Sequence, residues 1–412
     1  MWLHRWVGLL MASFLILEGL TGSLLAFREP LERLANPQLF GVAAPGAAPF
    51  DLATLAMRAE AVEPHARIDY FSVYHDQAFV RVSPRVDPST GKEWPITFDR
   101  VFLDPYTGKE LGKRREGDIT QGRINLVSFL YALHMNLSAG STGYLILGIV
   151  ALAWSIDCFV GLYLTVPVSL RGFLRKWLPS WWIKVNAKAV RVNFDLHRAG
   201  GLWLWPVLFV FAWSSVMFNL SSTYIAVMRS VLDYEDPMLV MQRPGLHENP
   251  NPRLHWSEAQ SLGEKAMRDV AAERGFKILR PYGMAYIESL GVYTYAVVSD
   301  LNVQNNAWST SVWVDGDTGE IRDVSVPSGA HVGNTVETWL RALHFADIHD
   351  STTYRIFVAM VGIVTVMLSV TGIYLWWKKR RARRWSRRHL ANSASAGLTA
   401  QNLVETSVGR TP

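Results

Sequence analysis

The chain has 412 residues, half of them hydrophobic, with 17 Trp, one Cys and a formal net charge of +6. A lone cysteine, Cys158, rules out an intramolecular disulfide, a cysteine-built metal cluster and Cys-x-x-Cys-His haem attachment. The positive charge gathers in two blocks beside apolar segments, which argues against a nucleic-acid surface and for a topological role.

Four apolar stretches, residues 7–27, 144–166, 201–220 and 356–377, each run for roughly 20 residues, about what a helix needs to cross a hydrocarbon core ~30 Å thick. The first lacks a long basic leader and an Ala-x-Ala site before Arg28, so it is expected to stay as membrane helix 1 (1–27) rather than be removed as a signal peptide.

Residues 28–123 then read as a small exterior α+β domain. Asp51 is a good N-cap for an amphipathic helix, strand-like alternation follows at 68–74, 78–82 and 97–103, and Asp104-Pro105-Tyr106-Thr107-Gly108 closes a hairpin. Residues 124–166 hold an interfacial helix (124–137) and membrane helix 2. A continuous helix from His134 to Tyr163 would rise ~44 Å, too far for one crossing, so a break is expected in Ser138-Ala139-Gly140-Ser141-Thr142-Gly143.

A basic loop (167–195) carries Arg171, Arg175, Lys176, Lys184, Lys188 and Arg191. Membrane helix 3 (196–222) leads into a second exterior domain (223–335), with Ser257 as N-cap, strands at 284–289, 292–298 and 309–314, and the turn Asp315-Gly316-Asp317-Thr318-Gly319. An interfacial helix and membrane helix 4 (336–377) precede a basic tail (378–412), expected to be disordered, which holds Lys378 to Arg384, Arg387 and Arg388. The positive-inside rule puts both termini and the middle loop in the cytoplasm and both α+β domains outside.

The chain therefore reads as an α+β membrane protein made by duplication. Leu-His-Arg-x-x-Gly-Leu occurs at Leu3 and at Leu196, Ala-Leu-His at Ala132 and at Ala342, and Gly161-Leu162-Tyr163-Leu164 matches Gly372-Ile373-Tyr374-Leu375. Two halves that enter from the same side are related by a pseudo-twofold axis along the membrane normal. That symmetry pairs His4 with His197 on the cytoplasmic side and His134 with His344 on the outer side.

Two facing neutral imidazoles are the usual ligand set of a low-spin b-type haem, so two b-type haems are expected. Arg5, Arg198 and Arg341 stand beside these histidines as candidate propionate partners. Zinc is the competitor, and Asp347 and His349 near His344 keep an exterior metal site open. Whether His349 assists or replaces His344 is left open; Ala139 takes its place in the first half. His65, His75, His247, His255, His331 and His389 are weaker candidates. Glu18 inside membrane helix 1 is a candidate proton or quinol contact, and its counterpart in the other half is Phe211. The absence of a Gly-x-Gly-x-x-Gly, Walker or Gly-x-Ser-x-Gly motif leaves a quinol or a separate cytoplasmic reductase as electron donor.

These paired motifs, in this order, resemble the PepSY-associated transmembrane proteins, which include the di-haem ferrisiderophore reductases of bacterial inner membranes. The resemblance runs from Leu3 to about Arg384. It implies four membrane helices, two periplasmic PepSY-like domains, haem held by His4, His197, His134 and His344, and reduction of Fe(III) in a siderophore to Fe(II). The chelate itself is not implied. The competing readings are a non-enzymatic PepSY binding or assembly protein and a siderophore permease. The latter fits poorly with only Glu18 and Asp157 as acidic groups inside the spans.

Overall fold

The computed structural model describes residues 1–43, 47–236, 239, 241–242, 244–304 and 308–408, with side chains described as far as residue 385. The basic residues Arg387 and Arg388, and His389, lie outside the described side chains.

The protein is an α+β membrane protein. Among the described residues, four helices are long and apolar enough to cross a membrane: α1 (Trp2–Leu25), α5 (Gly140–Thr165), α7 (Ala189–Asn219) and the Thr352–Trp385 part of the last helix. Between α1 and α5 lie α2 (Arg28–Ala35), α3 (Leu52–Val62), strands β1 (Ala66–Tyr74), β2 (Gln77–Pro84), β3 (Arg100–Leu103) and β4 (Glu110–Arg114), and α4 (Leu126–Asn136). A short α6 (Phe173–Trp177) precedes α7. After α7 come α8 (Ser221–Val231), α9 (Trp256–Arg274), β5 (Ile278–Ile287), β6 (Val292–Ser299), β7 (Ser311–Asp315), β8 (Ile321–Ser325), α10 (Val332–His344) and α11 (Thr352–Val408).

The chain divides into two compact units. One comprises residues 1–19, 153–209 and 363–412, and the other residues 20–152 and 210–362. The first is helical and holds the basic segment between α5 and α7. The second holds all eight strands.

The strands of the two soluble segments do not form two separate sheets. They join in one antiparallel sheet of order β4-β3-β2-β1-β5-β6-β7-β8, so the sequence β1 to β4 leaves the centre one way and β5 to β8 the other. The reason is edge chemistry: β1 and β5 would each expose a row of unpaired backbone groups, and pairing them satisfies both. At this seam Tyr70 faces Ala285, Phe71 faces Met284 and Ser72 faces Gly283. A Cβ on Gly283 would stand 2.3 Å from the Phe71 carbonyl oxygen, so glycine is required for the strands to meet.

Helices α3 and α9 cover one face of the sheet. Alternate residues of the strands point at them, and Leu55, Ala56, Phe71, Val80, Met267, Met284 and Val312 belong to one buried core shared by both segments. The helices also touch directly, since Gln260 Oε1 accepts the Ala53 N–H at 2.6 Å. Strands β4 and β8 follow the two Asp–Thr–Gly turns and are short and half-exposed, which is why their pattern escapes the sequence.

Several boundaries differ from expectation for identifiable reasons. Asp51 caps α3 through the Thr54 N–H, as its position suggests. Helix α9, however, is capped by His255 rather than Ser257, because the Glu258 carboxylate reaches back to the His255 N–H in a capping box. Helix α7 starts at Ala189, so the last part of the basic loop is already helical. The basic tail, expected to be disordered, continues α11 as helix through Val408; it is rich in Arg and Ala and contains no proline until Pro412. The break between the interfacial helix and α5 falls at Leu137 and Ser138, both left-handed, which lets α4 end before α5 begins.

Replacing Gly283 by Val should cost about 1–3 kcal/mol through overpacking at the seam. Hydrogen–deuterium exchange checks it: amides of β1 and β5 should lose protection first, and unchanged protection would show that the seam tolerates a side chain.

Candidate functional site

In the first unit, α1 and α7 bring their repeated Leu-His-Arg motifs together. The His4 and His197 ring centroids lie 6.0 Å apart. The His4 Nδ1 lies 2.9 and 3.0 Å from the two carboxylate oxygens of Asp157 on α5. The His197 Nδ1 lies 3.0 Å from the Leu368 carbonyl oxygen and 3.1 Å from Thr371 Oγ1 on α11. The Thr371 hydroxyl donates to the Met367 carbonyl at 2.7 Å, which leaves its lone pairs to accept from the imidazole.

In the second unit the partners are His134 at the end of α4 and His344 at the end of α10. Their ring centroids are 6.3 Å apart. Thr21 Oγ1 of α1 lies 2.8 Å from His134 Nδ1, and Ser214 Oγ of α7 lies 2.7 Å from His344 Nδ1. Ser214 donates its own proton to the Val210 carbonyl at 2.7 Å, so it too accepts from the ring. Phe211, Phe218 and Phe345 pack around His344, at centroid distances of 5.3, 5.1 and 6.0 Å. Desolvation, with His134 and Arg341 adding like charge, pushes the His344 pKa down to about 3. It is therefore neutral at physiological pH, with a lone pair to offer.

All four imidazoles are thus engaged at Nδ1 by an oxygen. A neutral imidazole whose Nδ1 keeps the proton presents its lone pair at Nε2, which is how outer-shell partners prepare histidine for a metal. Two metal–nitrogen bonds of ~2.0 Å, with ~1.2 Å from each nitrogen to its ring centre, put centroids up to ~6.4 Å apart. Both pairs lie within about 0.4 Å of that spacing. Among the described residues no group of three or more His, Cys, Asp or Glu gathers to hold a metal ion. An ion at either pair would need to bring its remaining ligands with it, as a porphyrin does.

The glycines of the repeated motifs acquire a role here. A Cβ on Gly372 would lie 3.3 Å from His197 Cε1, one on Gly161 3.7 Å from His4 Cε1, and one on Gly22 3.0 Å from His134 Cε1, so small residues let the rings seat. Gly8 and Gly201 follow His4 and His197 by one helical turn, on the same face. A Cβ at either would meet no atom within 4 Å, so neither packing nor a left-handed backbone explains glycine there. A flat ring lying against the helix would.

The arginines are placed differently from one another. The buried Nε atoms of Arg5 and Arg198 have no hydrogen-bond partner among the described residues. Such orphaned donors ask for an acceptor, and a propionate carboxylate is of the right kind. Arg198 also donates to Asp195 and to the Pro179 carbonyl, both at 2.9 Å. Arg341 pairs with Glu337 at 3.3 Å and lies over the Phe218 ring at 5.2 Å. Glu18 is half-buried on α1.

The weaker histidine candidates are tied up elsewhere. His65 stacks on Trp94 at 4.1 Å, His331 pairs with Asp233 at 3.0 Å, and His255 caps α9. His349 sits in the left-handed turn before α11.

Three of the oxygen partners, Asp157, Thr21 and Ser214, were legible in principle. Asp157 is the only charged residue in α5, and Thr21 and Ser214 occupy equivalent places in the two copies. The Leu368 backbone carbonyl left no such trace.

On the face of the sheet away from α3 and α9 lies a cavity of ≈ 1140 Å³. Tyr70, Tyr286, Trp308 and Trp313 contribute its aromatic lining, and its charge is of both signs, with Arg67, Arg81 and Arg274 beside Asp69, Glu235, Glu248, Glu288 and Asp323.

The family model described as PepSY-associated TM region matches residues 1–379. A search of the curated proteins finds no match.

Replacing Thr21 by Val, or Ser214 by Ala, should leave a half-buried Nδ1–H without its acceptor, at about 1–3 kcal/mol. Nitrogen-15 spectra of labelled histidine read this directly: one fixed tautomer at His134 or His344 in the parent, a mixture in the variant. An unchanged spectrum would mean the hydroxyls do not hold the rings.

Proposed function

Since the chain belongs to the PepSY-associated TM region family, we propose that it is a bacterial inner-membrane oxidoreductase that passes electrons across the membrane and reduces a ferric siderophore outside it. The observation that carries this reading is the doubled pair of histidines at metal-bridging spacing, each with Nδ1 engaged by oxygen.

His4 with His197, and His134 with His344, would each hold one b-type haem, which when bound supplies an iron that alternates between ferric and ferrous and so carries one electron. Arg5 and Arg198 would take propionates at the first pair. The histidines and their oxygen partners keep the ligands aimed, and the surrounding helices exclude water. The basic segments between α5 and α7 and after Trp377 support a cytoplasmic side for the His4–His197 pair. The sheet is then periplasmic, as two repeats of a PepSY-like unit.

The chelate fits the cavity over the sheet face. The cavity is large enough for a small-molecule chelate, and two indole rings offer flat apolar walls. Each ferric chelate takes one electron and becomes ferrous. A quinol gives two electrons, releases two protons and becomes a quinone, so one quinol would serve two chelates; a cytoplasmic reductase would serve by the same count. Glu18 is the candidate for the quinol's proton. The product leaves because Fe(II) binds hard oxygen donors more weakly than Fe(III) does.

Purified protein should show reduced-minus-oxidised haem bands and two haems per chain in a pyridine haemochrome assay. The double variant His134→Ala/His344→Ala should retain one haem and lose reduction of ferric chelates. Colourless wild-type protein would end this reading.

A further inference from the structure

The two histidine pairs differ in one respect that the repeat does not require. Three of the four Nδ1 atoms face neutral oxygens: Thr21 at His134, Ser214 at His344, and the Leu368 carbonyl with Thr371 at His197. The fourth, His4, faces a carboxylate. Asp157 stands in register with Leu368, each four residues before the matched glycines Gly161 and Gly372, so the first half carries an acid where the second carries an apolar side chain.

Asp157 is the only charged residue among the 26 of α5 and is 9% exposed. A carboxyl group in such a helix is expensive to keep. Its oxygens are nearly equidistant from the His4 Nδ1, at 2.9 and 3.0 Å, so both face the ring.

We propose that Asp157 is a positioning residue that acts through His4 and makes the His4–His197 haem the lower in potential of the two. This rests on the haem reading above. The physical chain is short. A carboxylate accepting the Nδ1 proton gives the imidazole partial anionic character and makes Nε2 a stronger donor. A stronger donor, and a fixed negative charge close by, favour the iron form with the extra positive charge, which is the ferric one. Hydroxyl and carbonyl partners do this less. The site on the electron-donor side then gives up its electron readily, and the outer pair, with Thr21 and Ser214, receives it. The asymmetry provides a downhill direction that a duplicated protein lacks by construction.

A hydrogen bond to a charged group exceeds a neutral one by an amount that corresponds to about tenfold in an equilibrium constant. For a one-electron couple that is ~59 mV.

Spectroelectrochemical titration tests the proposal. The His134→Ala/His344→Ala protein, which keeps only the cytoplasmic-side haem, should have a lower midpoint than the His4→Ala/His197→Ala protein, which keeps only the other. Asp157→Asn should hold both haems and raise the lower midpoint by about tenfold in equilibrium constant, with the other unmoved. A reversed order of midpoints, or an Asp157→Asn protein with both haems and unchanged midpoints, would overturn it. Should Asp157→Asn fail to retain haem, the order of the two single-haem proteins still decides. Wild-type protein without haem would instead defeat the haem reading itself.

Discussion

An imidazole has two nitrogens and one proton, and the hydrogen bond that settles which nitrogen keeps it governs this structure. At His4, His134, His197 and His344 an oxygen lies within about 3 Å of Nδ1. Those oxygens come from α1, α5, α7 and α11, the four helices with membrane-spanning length. The ring orientations therefore depend on how these helices pack, and the packing depends in turn on small residues, Gly22, Gly161 and Gly372, where a helix approaches a ring. Helix packing without a hydrophobic drive favours such small residues; in this chain they serve the histidines as well.

Much of this was readable from the residues. The four spans, the two Leu-His-Arg starts and the two Ala-Leu-His ends follow from hydropathy and repetition, and the repeat pairs the histidines whose rings lie about 6 Å apart. The joining of the two soluble segments into one sheet was not readable. Pairing of β1 with β5 depends on two edges that meet only after folding, and alternation along a strand says nothing about its neighbour. Gly283 was the available trace, a glycine in the middle of a strand. The cap of α9 was missed because histidine is an uncommon cap, and the signal lay in Glu258 three residues on. The roles of Thr21 and Ser214 were hidden by ordinary residue types in apolar surroundings, where a hydroxyl usually bonds its own helix.

The repeat also departs from itself. Asp157 against Leu368, Glu18 against Phe211, and Tyr131 against Arg341 are differences between copies that otherwise share their motifs. Matched motifs mark equivalent places in the sequence, and these substitutions make those places unequal. Asp157 does so at an imidazole, while Phe211 fills the surroundings of His344.

The seam of the sheet has a consequence for biogenesis. Phe71 finds its strand partner at Met284, about two hundred residues later in the chain, and at roughly 5–20 residues per second that strand leaves the ribosome some 10–40 s afterwards. Until then β1 is an open edge with a half-built core beneath it, the kind of surface that recruits wrong partners. The first α+β segment thus finishes folding only after α7 and the second segment have been made, so its edge stays open through the synthesis of a whole membrane-length helix.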